Sequence, residues 1–328
     1  MFASVWYGHF HSPLGLLRAG LVTVFGLTIS ACSTTTPADP VTLEPAIAPP
    51  SVALVLGGGG AKGFAHVGVI KALEENGIKP TMVVGTSVGS LIGSLYASGY
   101  TPAQLEQLAL TTSDSQLTDF TISNQGFVEG IKLKNFINNK VNAKAIEAFP
   151  ISFAAVAAEK HTLKKAVFTT GDAGLAVQAS CSVPNIFIAP RIPEKVGKKY
   201  VDGGVVSLVP VDSARDLGAD IVIAVDVTTA QNNGATVNNP LTIRSLSDFW
   251  GFLETNIVSP ATNQRTSSMR RERDRADIVI TPNMGHISSI DTRQRRHLIE
   301  AGSQATTPHI SAIKQLIQEK FKSKYATL

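Results

Sequence analysis

The sequence predicts an α/β fold, a three-layer sandwich with a central mostly parallel sheet, and three observations carry that reading. Val52–Leu56 and Ile221–Asp226 are continuous apolar runs of strand length, as expected of strands buried on both faces. Glycine-rich turns follow the first two short strands, at residues 57–63 and 85–89, and each opens a helix. Strands and helices then alternate along most of the chain, the pattern of a parallel sheet with right-handed crossovers. The 328 residues, 44% hydrophobic and 16% charged, suffice for one large domain of this kind.

At the N-terminus, Arg18 precedes the apolar run Ala19–Ile29, which is too short to span a bilayer and reads as the core of a signal peptide. Ile29-Ser30-Ala31-Cys32 resembles the lipobox of bacterial lipoproteins, with Cys32 as the lipidated residue. Residues 1–31 are then a lipoprotein signal peptide, and Cys32 holds the chain to a membrane through several acyl chains, as stable anchoring requires. Ser33, in place of an aspartate, resembles the pattern for outer-membrane sorting, so the expected location is the cell envelope of a Gram-negative bacterium. Residues 32–50, rich in Thr, Pro and Ala, form a flexible tether, and the globular domain covers 51–328. With Cys32 lipidated, Cys181 is the only other thiol, so no intramolecular disulfide is expected.

The first strand, Val52–Leu56, leads into Gly57-Gly58-Gly59-Gly60-Ala61-Lys62-Gly63, and a helix follows from Phe64 to Asn76, stopped by Gly77. A second strand at Met82–Val84 runs into Gly85-Thr86-Ser87-Val88-Gly89. Further strands are expected at Ile151–Ala157, Lys165–Thr169, Lys199–Val201, Ile221–Asp226 and Asp277–Thr281. Residues 242–275 read as largely helical with a break near Ser259-Pro260, and a final helix spans Arg293–Phe321.

Gly85-Thr86-Ser87-Val88-Gly89 is a G-x-S-x-G elbow, in which glycines permit a sharp strand-to-helix turn that leaves a serine hydroxyl exposed. The earlier loop formally fits a dinucleotide fingerprint at Gly58, Gly60 and Gly63, but no acidic residue follows the next strand to hold a ribose. A P-loop fails because Phe64 follows Gly63. The remaining reading is an oxyanion hole, with backbone amides at the positive end of a helix dipole and Gly59 and Gly60 as the candidate donors. Val201-Asp202-Gly203-Gly204 places a carboxylate at a strand end, with room behind it.

These three elements, in this order, resemble the patatin-like phospholipase family, and the resemblance covers Val52 to Val227, including Ala179-Ser180-Cys181-Ser182-Val183-Pro184. It implies a patatin-like catalytic domain with a Ser-Asp dyad, Ser87 as nucleophile and Asp202 as general base, and an oxyanion hole from Gly58, Gly59, Gly60, Ala61 and Lys62. Gly63, Gly85, Gly89, Gly203 and Gly204 are its motif glycines. Lys62 stands where many relatives have arginine, and Gly204 where many have alanine. The implied substrate is a phospholipid or other fatty-acyl ester, cleaved through an acyl-enzyme with no metal or cofactor. An ordinary aspartate, with a pKa of about 3.9, is a weak base toward a hydroxyl, so Asp202 must be shielded from water.

Other readings compete. His286, His297 and His309 follow Asp202 in the chain order of a Ser-Asp-His triad, and a catalytically silent envelope lipoprotein remains open. His66 could brace the oxyanion loop but is read as a helix-start residue packed on its own turn, without a catalytic role, and Cys181 as a small wall residue. Arg270, Arg271, Arg273 and Arg275 could meet anionic lipid, but the interleaved Glu272 and Asp274 favour a solvated helix face. Phe249, Trp250, Phe252 and Leu253 are candidates for an acyl-chain wall or for plain core packing. The net charge of +4, with no dense Lys/Arg run, gives no reason to expect a nucleic-acid partner.

Overall fold

A computed structural model of the chain describes residues 49–121, 123, 125–228 and 264–326. The signal peptide, Cys32 and the tether up to residue 48 lie outside the described residues, as do Phe249, Trp250, Phe252, Leu253 and the expected break at Ser259-Pro260.

The elements follow the predicted order: β1 (Val52–Leu56), α1 (Phe64–Glu75), β2 (Met82–Thr86), α2 (Val88–Ala97), α3 (Pro102–Thr111), α4 (Asp114–Leu117) and α5 (Ile131–Lys140). Then come β3 (Ser152–Glu159), β4 (Lys165–Phe168), α6 (Ala173–Ser180), β5 (Arg191–Ile192), β6 (Lys198–Asp202), α7 (Val211–Asp216) and β7 (Ile221–Val225). After the undescribed segment come α8 (Gln264–Arg273), β8 (Ile278–Ile280), α9 (Arg295–Thr306) and α10 (Ile310–Ala326).

The sheet runs β5-β6-β3-β2-β1-β7-β8, with β4 on the other edge of β3. The strands from β3 through β2, β1 and β7 to β8 pair in parallel, whereas β4, β5 and β6 are antiparallel to their neighbours. β1 lies between β2 and β7, and all five of its residues are buried, which is why it has no polar alternation. Val52, Leu54 and Leu56 face a core shared with α1, α2, α3, α5, α6 and α9, while Ala53 and Val55 face a second core shared with α7. Those two packed faces make the three layers.

Two departures from the expected elements have local causes. The single C-terminal helix is broken at Thr307–His309 into α9 and α10, because Pro308 has no N–H to donate. β5 spans only two residues, too short for any periodicity to mark.

One feature of the sheet positions the site. Thr86 ends β2 opposite Val156 of β3, and Asp202 ends β6 opposite the next residue, Ala157. Since β4 occupies the other edge of β3 there, β2 and β6 share one edge and meet with their C-terminal ends facing.

Candidate active site

Ser87 sits between β2 and α2 with φ 54° and ψ −127°, a region that L side chains rarely occupy. Strain of this kind costs about 1 to 3 kcal/mol and persists only when neighbours over-determine it. They do so here. The Ser87 N–H donates to Ser180 Oγ at 2.9 Å, and that hydroxyl donates to Val156 O at 2.6 Å. The Ser87 carbonyl accepts from Ser90 N at 2.8 Å and Ser90 Oγ at 2.7 Å. The turn is tight enough that a Cβ on Gly89 would lie 2.0 Å from Leu56 O.

Asp202 arrives at the end of β6, fully buried, with its backbone N–H donating to Ser182 O at 2.8 Å. Its Oδ1 accepts from Gly204 N at 2.7 Å, while Oδ2 is buried without a hydrogen-bond partner. Burial raises the carboxyl pKa to about 7, against the opposing pull of the Ser87 hydroxyl and the Gly204 N–H. The Ser87 hydroxyl therefore stands close to the carboxyl, yet short of a formed hydrogen bond to Oδ2. The same surroundings push the Cys181 thiol pKa up, through burial and the nearby Asp202 charge, and its Sγ lies 3.9 Å from Ser90 Oγ.

The Gly-rich loop lies over the nucleophile: a Cβ on Gly58 would stand 3.3 Å from that of Ser87. Most of its amides are already committed. Gly58 N donates to Leu208 O at 3.0 Å, Ala61 N to Ser289 O at 2.7 Å and Lys62 N to Gly59 O at 3.2 Å. Of the five residues read as an oxyanion hole, three therefore have committed N–H groups, and Gly59 and Gly60 alone make no N–H hydrogen bond among the described residues. Gly60 has φ 57°, which a residue with a side chain would resist. Beneath the loop, His66 is buried and its Nε2–H donates to Gly57 O at 2.8 Å. Burial lowers its pKa to about 4, so it is a neutral brace of the loop, the reading that its place at the helix start had made the less favoured one.

Loop, elbow and Asp all fall inside residues 54–215, which match the family described as patatin-like phospholipase. The chain carries a patatin-like phospholipase domain. An uncharacterized NTE family protein of Mycobacterium bovis is 34% identical over 197 residues, 58% of this chain and 53% of the relative. Lysophospholipase nte1 of Aspergillus fumigatus is 33% identical over 252 residues, 75% of this chain and 15% of the relative. The chain thus spans about half the length of the mycobacterial relative and far less of the fungal one. Among solved structures, VipD from Legionella pneumophila superposes with a TM-score of 0.54 at 16% identity, over 81% of this chain and 67% of that one, a likeness of fold.

Beside the loop, the patatin-like domain holds a largely apolar cavity of about 180 Å³, bordered by Gly60 and Ala61, by Val88 next to the nucleophile, and by Leu91, Leu95 and Leu105. The histidines of the competing triad do not reach Asp202: His286 and His297 are exposed, and none hydrogen-bonds the carboxylate. The arginine cluster on and after α8 also resolves. Arg273 pairs with Asp226 at 2.9 Å and Arg275 with Asp212, while buried Glu272 accepts from Ser207 Oγ at 2.8 Å. Arg273 and Arg275 are therefore taken up by intramolecular pairs, and Arg271 remains on the surface.

Proposed function

We propose that this domain is a serine lipid acyl hydrolase, cleaving fatty-acyl esters through an acyl-enzyme on Ser87 with Asp202 as general base. The observation that carries the reading is a strained serine beside a buried carboxylate oxygen that has no hydrogen-bond partner. A carboxylate with a pKa of about 7 is poised to take a proton near neutral pH, which an ordinary aspartate is not. The family resemblance and the lysophospholipase relative support an acyl ester as the substrate.

Ser87 Oγ attacks the ester carbonyl carbon as its proton passes to Asp202 Oδ2. Negative charge on the carbonyl oxygen is met by the free N–H groups of Gly59 and Gly60, each worth about 3 to 4 kcal/mol to the transition state. The carbon–oxygen bond of the leaving group then breaks, and the departing oxygen takes the proton from Asp202 and leaves as an alcohol or lysolipid. Water attacks the acyl-enzyme, giving one proton to Asp202, which returns it to Ser87 Oγ as the fatty acid is released. The same reading keeps Cys32 as the lipid anchor, on the strength of the Ala31-Cys32 junction after an apolar run.

The test is hydrolysis of mixed phospholipid vesicles by wild type, Ser87→Ala and Asp202→Asn. Loss of about 10⁴-fold or more in both variants, with the fold retained, supports the dyad. A folded wild type no more active than Ser87→Ala returns the silent-lipoprotein reading for this substrate class.

A further inference from the structure

The cavity beside the loop has a depth that the helices around it define. Val88, Leu91, Ile92 and Leu95 line it at helical spacing along one face of α2, so it descends from the nucleophile for seven residues, about 10 Å at 1.5 Å per residue. α1 and α2 start together, since a Cβ on Gly63 would touch Val88, and they end together, where Tyr96 donates to Glu74 at 2.7 Å. α3 returns upward: Glu106 pairs with Lys71 partway along α1, and Thr112 lies near Phe64 at the start of α1. Leu95 and Leu105 therefore close the bottom, both buried in the main core.

The upper wall is fixed. Arg295 donates from Nε to Thr292 O at 2.8 Å, from Nη1 to Ala109 O at 2.8 Å and to Thr112 O, and from Nη2 to Asp114 Oδ1 at 2.8 Å. Its guanidinium stacks 5.0 Å from the Phe64 ring centre. Four of its five N–H groups are thus spent, two of them on the end of α3 and one on Asp114 of α4, which suits a rigid rim and not a grip on a free anion.

We infer that this cavity is a fatty-acyl site of fixed length with Leu95 and Leu105 as its floor, so that the enzyme prefers esters of medium chains, about six to eight carbons. The inference rests on the hydrolase reading. A cavity of about 180 Å³ is somewhat larger than the roughly 150 Å³ of an apolar cavity that takes up a six-carbon ring, so about six carbons fit. A depth of about 10 Å fits roughly eight carbons, each advancing somewhat less than a carbon–carbon bond of about 1.5 Å.

The experiment measures kcat/KM on p-nitrophenyl esters from four to sixteen carbons, in mixed micelles, for wild type, Leu105→Ala, Leu105→Phe and Leu95→Phe. Wild type should peak near six to eight carbons. Leu105→Ala deepens the floor and should raise the twelve-to-eight-carbon ratio by about tenfold, and both Phe variants should move the peak toward four carbons. If Leu105→Ala does not fold, the two Phe variants, which fill space and open none, still decide. A wild-type peak at fourteen to sixteen carbons, or a profile that no variant moves, overturns the inference while leaving the hydrolase reading intact. A folded wild type that hydrolyses no ester removes the hydrolase reading itself.

Discussion

At pH 7 a carboxyl with a pKa of about 7 is half ionised, and in the proposed mechanism only the ionised form of Asp202 takes the Ser87 proton. Activity should therefore rise with pH through about 7, as a pH–rate profile of kcat/KM will read. The same shift has a stability consequence of opposite sense. The folded state holds a proton that the unfolded chain, with a carboxyl pKa of about 3.9, has already released, so the contribution present below pH 4 is lost as pH rises to about 7. Asp202→Asn should accordingly gain thermal stability over wild type at pH 8, with the gain shrinking as pH falls toward 4. Ser180 acts through Ser87, because its hydroxyl holds the backbone N–H of the elbow. Ser180→Ala leaves that buried N–H without a partner, and should cost about 1 to 3 kcal/mol by urea unfolding and lower kcat more than it raises KM. Sequence reading singles out Ser87 and Asp202 because their glycine settings are local, but it could not assign Ser180, whose partners lie 93 and 24 residues away.

At the scale of elements, the site is the meeting of two strand ends. β2 and β6 abut on one edge of β3, and the serine and carboxylate come together at that junction. The strands were legible from short apolar runs; their head-on meeting was not, since it depends on antiparallel pairing between segments some forty residues apart, which local periodicity does not record. The loop amides show the same limit. Whether Gly58 or Ala61 has a free N–H is decided by Leu208 O and Ser289 O, far along the chain. The elbow itself is steric: α2 crosses β1 so closely at Gly89 that Gly89→Ala should destabilise the domain by about 1 to 3 kcal/mol or more, measured by urea unfolding, and depress activity even in the folded fraction.

Over the whole molecule, Asp220 ties distant parts of the chain together. Its Oδ2 accepts from Ser51 N at 2.7 Å and from Lys324 Nζ at 2.7 Å, joining the entry to β1 with α10. The Lys324 partnership, aided by Ser51, holds its carboxyl below the usual range, so its contribution is present above about pH 4 and is lost as pH falls through the depressed value. Asp220→Ala should lower the urea midpoint at pH 7 with an unchanged slope, and the difference should fade under acid conditions. The order of the longer strands was readable from apolar runs, whereas two-residue β5, the break at Thr307–His309 and the tie of α10 to the entry of β1 through Asp220 were not.

The proposed function turns on Ser87 being a nucleophile activated by Asp202. The most direct measurement is covalent labelling of the intact chain by a fluorophosphonate, with the labelled residue mapped by mass spectrometry. A single adduct on Ser87 is expected, absent in Ser87→Ala and slowed by at least about a hundredfold in Asp202→Asn. Labelling at another residue, or equal labelling of wild type and Asp202→Asn, would contradict it.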